Sequence, residues 1–104
     1  MKVYFVQKKW AVNAEGKFDL ETGRLVVLKG SSISPEIRFA EKTYGLNKIV
    51  ALRNEYVKNS VLSEDIEFKS ATAAANFVLG YSINGLKAWK NSEGKTIKEI
   101  TTEE

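Results

Sequence analysis

The sequence predicts an α+β domain, a small antiparallel sheet of about five strands with two helices packed on one side. Three observations predict it. Lys2 to Lys29 runs through short apolar or alternating segments broken at Glu15-Gly16-Lys17 and Glu21-Thr22-Gly23-Arg24, as in an antiparallel meander. Leu46 to Lys58 changes to three- and four-residue apolar spacing, at Ile49, Leu52, Tyr56 and Val57. Phe68 to Lys90 then sets a helix start, an alanine-faced helix, a glycine stop, a turn and a tryptophan strand in one run.

Taken in order, Lys2–Gln7 is rich in β-branched and aromatic residues over one strand length. Trp10, Val12 and Ala14 alternate with Ala11, Asn13 and Glu15 in a half-buried strand pattern, which Gly16 interrupts as a bulge or turn. Leu25-Val26-Val27-Leu28, bounded by glycines, reads as a buried strand. Ser34-Pro35-Glu36 has the N-cap serine and first-turn proline of a short helix. Beyond the Leu46–Lys58 helix, Ser63-Glu64-Asp65 is a polar turn and Ile66-Glu67-Phe68 a short strand.

Ser70 is placed to cap a helix over Ala71–Leu79, and Gly80 to end it in the left-handed conformation. Ala71, Ala73, Ala74 and Ala75 give that helix a narrow face. Asn84-Gly85 signals a tight turn into a strand over Leu86–Lys90, and Lys95–Ile100 returns as a last strand. Trp89 is expected in the core and Tyr81 exposed. Residues 1–104 form one domain, with 101–104 a frayed tail.

Composition excludes several chemistries. With 43% hydrophobic and 28% charged residues, the chain has the makeup of a globular protein and not of a disordered tail. Cysteine and histidine are both absent, so no disulfide, thiolate site, histidine general base or histidine zinc ligand is available. Catalysis would have to rest on carboxylate, lysine, tyrosine or serine, and the chain reads as non-enzymatic, with no catalytic residue, cofactor or metal. Glu64, Asp65 and Glu67, the tight acidic cluster, read as a solvated turn. Lys29-Gly30-Ser31-Ser32 lacks the residue order and the upstream glycine of a phosphate loop. The short apolar start is no signal segment, and no run is long enough to span a bilayer, so a cytoplasmic protein without membrane contact is expected.

The net charge of +3 permits an anionic partner or simple solubility. Basic residues fall in two groups: Lys8, Lys9, Lys17 and Lys29 on the first sheet, and Lys87, Lys90, Lys95 and Lys98 near the end. Trp10, Tyr81 and Trp89 lie near them in sequence and are candidates for stacking on bases.

Phe68-Lys69-Ser70-Ala71-Thr72-Ala73-Ala74-Ala75, Val78-Leu79-Gly80, Asn84-Gly85 and Trp89-Lys90 resemble the domain-of-unknown-function 4357 family. Ala14-Glu15-Gly16-Lys17-Phe18, Val26-Val27-Leu28-Lys29-Gly30-Ser31 and Gly94-Lys95-Thr96-Ile97 extend the resemblance over nearly the whole chain. The second-half motif is also similar to RAMA domains, which accompany restriction enzymes and adenine methylases, and members often follow GIY-YIG endonucleases. The chain departs from the pattern at Lys69 (serine), Ala71 (proline), Tyr81 (arginine) and Leu86 (aromatic).

The resemblance implies an accessory module that binds nucleic acid, DNA that is modified included. Lys29, Lys69, Tyr81, Lys87 and Lys90 are the expected contacts. The alternative is a protein-interaction module that docks to a nuclease or methylase.

Overall fold

The computed structural model describes residues 1–39 and 45–102. Its main sheet has four antiparallel strands in the order β1-β2-β3-β6: β1 (Lys2–Gln7), β2 (Val12–Phe18), β3 (Leu25–Val27) and β6 (Ile66–Phe68). A second, two-stranded sheet pairs β4 (Val57–Lys58) with β5 (Val61–Leu62). The helices are α1 (Leu46–Tyr56), α2 (Ala71–Leu79), α3 (Gly85–Ala88) and α4 (Ile97–Thr102). Thr101 and Thr102 therefore end a helix, and residues 103–104 of the expected tail lie outside the described residues.

One face of the sheet builds the core, because side chains alternate along a strand. Val3 and Phe5 of β1, Val12, Ala14 and Phe18 of β2, Leu25 and Val27 of β3 and Phe68 of β6 are all buried. Lys2, Asn13, Lys17 and Glu67 take the opposite face and are exposed. On that face Lys2 pairs with Glu15 at 3.2 Å and Arg24 with Glu67 at 3.0 Å. Helix α2 covers the core face against β2, β3 and β6. Its Ala71, Ala74 and Ala75 are buried, and Phe77 meets the Phe68 ring at 5.0 Å between centroids.

The ends of α2 are as the sequence predicts. Ser70 Oγ accepts the Ala73 N–H at 3.0 Å, and Gly80 adopts φ 74° with its N–H on the Asn76 carbonyl. Trp89 is fully buried, with its ring edge-on to Phe5 and its Nε1 donating to the Ala71 carbonyl at 3.1 Å.

The sheet is smaller than expected, and each missing strand has a local cause. Leu86–Lys90 is not a strand. Asn84 Oδ1 accepts the Leu86 N–H, and the Gly85 N–H donates to Thr72 Oγ1, so the chain enters α3 docked on α2. Lys90 keeps a single antiparallel bridge to Tyr4 and another to Thr96. Lys95–Ile100 becomes α4 instead of a strand. Thr96 Oγ1 accepts the Glu99 N–H while Glu99 Oε1 accepts the Thr96 N–H, a reciprocal capping box.

Gly16 is neither bulge nor turn. It pairs with Val3 and Val27 inside β2, where an added Cβ would lie 2.8 Å from the Leu25 side chain and 3.5 Å from the Trp89 ring. Trp10 falls outside β2, in a 3-10 turn over Lys8–Trp10. The helix expected at Ser34 does not form over residues 34–39, because the Ser34 N–H and hydroxyl reach the Val78 and Leu79 carbonyls instead. Helix α1 stops at Tyr56, and Val57-Lys58 turns into the small sheet.

The register leaves β1 open on its outer side. Tyr4 exchanges both backbone bonds with Lys90, so alternate residues of β1 point their polar groups away from β2. Val6 shares that parity, and no described segment pairs with it on the outer side. Its side chain is 57% exposed.

Candidate functional site

The five basic or aromatic positions singled out in the sequence do not form one cluster. Lys87 and Lys90 line one cavity of about 670 Å³ along β1, with Tyr4, Val6, Ile83 and Asn91. Lys29 follows β3 and Lys69 follows β6, at the other side of the sheet. Two or three strand spacings, roughly 10–14 Å, separate those strands from β1. The Lys29 N–H is held by the Asp65 carboxylate at 2.7 Å, while Glu67 pairs with Arg24. Two of the clustered carboxylates therefore serve the fold locally. Lys90 lies near Glu99, whose carboxyl the Thr96 N–H and hydroxyl hold below the usual glutamate range, with Lys95 and Lys90 adding to it.

Tyr81 belongs to a different arrangement. It is 48% exposed just past the end of α2 and stacks on Phe39 at 6.4 Å between centroids, 26° from parallel. On Tyr81 also rests the Arg38 guanidinium, whose Cζ lies 5.1 Å from the ring centroid. The same Cζ is 3.5 Å from the centroid of Trp10, and Lys9 Nζ is 5.3 Å from that ring. Cations and aromatic rings thus alternate as Lys9, Trp10, Arg38, Tyr81. Such contacts gain from the negative face of the ring, most for tryptophan.

Local structure explains why these residues converge. Ala11 takes a left-handed conformation, φ 57°, and its N–H returns to the Lys8 carbonyl, closing the 3-10 turn that offers Lys8 and Lys9 to solvent. Trp10 remains half-buried against the core. Arg38 is tied to the end of α2 twice: its backbone N–H donates to the Gly80 carbonyl at 2.6 Å, and its Nη2 to the Leu79 carbonyl at 3.1 Å. Its Nε is buried without an acceptor among the described residues.

Beneath this row, Arg53 of α1 is 92% buried, its residue exposure being 8%. Its Nε donates to the Phe77 carbonyl at 3.0 Å, Nη1 to the Ser34 carbonyl at 2.8 Å, and Nη2 to Phe77 at 2.7 Å and Val78 at 3.2 Å. No carboxylate pairs with it among the described residues. The negative C-terminal end of α2 serves as its counter-charge. Burial, and then the charge of Arg38, lower the Arg53 guanidinium to about 10, so it stays charged at neutral pH. Neither Lys8, Lys9 nor Arg38 has a carboxylate partner among the described residues.

Sequence reasoning had Trp10 and Tyr81 as stacking candidates and Lys8 and Lys9 as basic, but not their union, and it missed Arg38 and Arg53. Nothing in the pattern near Arg38 marks it. Its role comes from Leu79 and Gly80, which are far away in sequence.

The architecture is that of a small α+β domain with a half-open antiparallel sheet and a cation–aromatic surface. A family profile described as "Domain of unknown function (DUF4357)" matches residues 4–101, and the chain belongs to that family. No curated protein and no solved structure matches it. Among the described residues, no group of acidic side chains is arranged to hold a metal ion, and no helix is long and apolar enough to cross a membrane.

Proposed function

We propose that this chain is a non-enzymatic module that binds nucleic acid, DNA in particular, and serves as an accessory to restriction or nuclease systems in the cytoplasm. The observation that carries the reading is the Lys9–Trp10–Arg38–Tyr81 row, with Lys8 beside it. Cations without carboxylate partners attract phosphates, and aromatic rings at a surface stack on bases regardless of sequence. Lys87 and Lys90 extend the surface along β1, since Gln7 adjoins Lys8 and Ile83 lies two residues from Tyr81. Lys29 and Lys69, across the sheet, are not part of this surface.

A salt titration of binding to labelled single-stranded, duplex and methylated DNA, and to RNA, tests the reading. Affinity is expected to fall with salt, with a log–log slope of roughly 0.7–0.9 per phosphate contacted. The double variant Lys8→Glu/Lys9→Glu should lose most of it, and Lys87→Glu/Lys90→Glu a smaller part. Binding indifferent to both salt and these reversals would refute the reading.

A second reading, docking to a nuclease or methylase, has one specific support. The Val6 N–H and carbonyl face an open edge beside the cavity, where an extended segment of a partner can add to the sheet. Slowed exchange of the Val6 amide on adding a partner protein, and not on adding an oligonucleotide, would favour it.

A further inference from the structure

The Arg38 side chain occupies the place where a planar ligand would stack. Its guanidinium lies 3.5 Å from the Trp10 centroid, the separation of two stacked planar groups, and 5.1 Å from that of Tyr81. Resting on the nucleic-acid reading above, we infer that Trp10 and Tyr81 form a slot for one unpaired nucleobase, which Arg38 fills until the base displaces it.

Three features make Arg38 a displaceable occupant. Among the described residues its side chain makes one hydrogen bond, Nη2 to the Leu79 carbonyl at 3.1 Å. That carbonyl also accepts the Ser34 hydroxyl at 2.6 Å, so it keeps a partner when Arg38 leaves. The Arg38 Nε is buried with no acceptor among the described residues, a state that costs free energy and that ends once the side chain turns to solvent. Arg53 behaves in the opposite way. It is locked by the Phe77, Val78 and Ser34 carbonyls, and its fixed positive charge repels Arg38.

The backbone beneath the slot need not move. The Arg38 N–H stays on the Gly80 carbonyl, so only the side chain swings. An arriving base exchanges one planar π-system for another on Trp10, and the released guanidinium can fork onto the phosphate of the same strand. Bases inside a duplex cannot enter without unstacking, so the slot selects single strands, ends and splayed bases. Tyr81 is exposed and carries Arg38 and the stacked Phe39 ring.

The experiment uses the full chain with three labelled probes, a single-stranded dT oligonucleotide, the same strand with abasic sites and its duplex with dA, and a sample without nucleic acid as control. Trp10 emission is read beside anisotropy. Trp89 is fully buried and gives a constant background, and Trp10→Phe identifies the signal. The intact single strand is expected to quench Trp10 and to bind roughly 5- to 150-fold more tightly than the abasic strand, the range of one stacked base.

Trp10→Ala should erase the advantage of the intact strand over the abasic one. Arg38→Ala should retain the quench but reduce the salt slope by about 0.7, one phosphate contact on a single strand. Salt-dependent binding without quenching, or equal affinity for intact and abasic strands, would overturn the slot while leaving the nucleic-acid reading intact. Absence of binding to every probe would overturn both. Because Tyr81 is exposed, Tyr81→Ala offers a variant whose folding is not at risk, and it should weaken intact single strands selectively.

Discussion

Replacing Arg53 by methionine should cost about 2–4 kcal/mol of stability, which is a large share of the ~5–15 kcal/mol of a typical domain. The side chain ties α1 to the last turn of α2 and to the Ser34 segment. Without it, the Val78 carbonyl still accepts the Ser34 N–H at 3.0 Å. The Phe77 and Ser34 carbonyls have no other donor among the described residues and both residues are buried.

Two orphaned carbonyls cost about 1–3 kcal/mol each, or about 2–6 together. Relief from holding a desolvated guanidinium with no carboxylate offsets part of that sum, which brings it to the lower half. Methionine fills the stem volume, so the loss reports the polar contacts and not a cavity. Urea unfolding should show the midpoint falling by about 1–2 M with the slope unchanged. Arg53→Lys should recover little, because one ammonium cannot span the Phe77 and Ser34 carbonyls as a planar fork does. A methionine variant within about 0.5 kcal/mol of the parent would refute the assignment of Arg53 as the cap of α2.

Two further outcomes are expected. Gly85→Ala should destabilise by more than about 2 kcal/mol, since its Cβ would overlap the backbone of Ala71 and Thr72, which cannot yield as a side chain can. Thermal melting measures it, and a melting temperature within about 2 °C of the parent would contradict the close α2–α3 contact. The Glu99 carboxyl is held below the usual glutamate range, first by the Thr96 N–H, then by the Thr96 hydroxyl, with Lys95 and Lys90 adding to it. A depressed value in the folded state means the capping box contributes fully above the ordinary glutamate pKa and fades as pH falls through the folded one. The Thr96 amide should therefore lose exchange protection in acid, once pH falls below the ordinary glutamate range, and Glu99→Ala should flatten that response. An unchanged pH profile in the variant would sink the argument.

The segments legible in sequence were those whose signals are local. Ser70 and Gly80 bound α2 because a hydroxyl cap and a left-handed stop act within one turn. The β1–β2 pairing and the burial of Trp89 followed from alternation and size. The misread end of the chain also carried a local signal: Thr96-Ile97-Lys98-Glu99 spells a capping box that outweighs the β-like alternation of Lys95–Ile100. Asn84-Gly85 was ambiguous by nature, because an Asx cap and a tight turn begin with the same residues.

The candidate site divides along the same line. The sequence by itself determined the family, the α+β class, the helix bounded by Ser70 and Gly80, and the lack of histidine and cysteine chemistry. These depend on residue types and on spacings of a few positions. Only the tertiary structure decided that Lys87 and Lys90 lie apart from Lys29 and Lys69, and that Arg38 rests on Trp10 and Tyr81 while Arg53 caps α2. Strand order and helix docking set those distances, and stacking falls off within a few ångström, so no spacing along the chain encodes it.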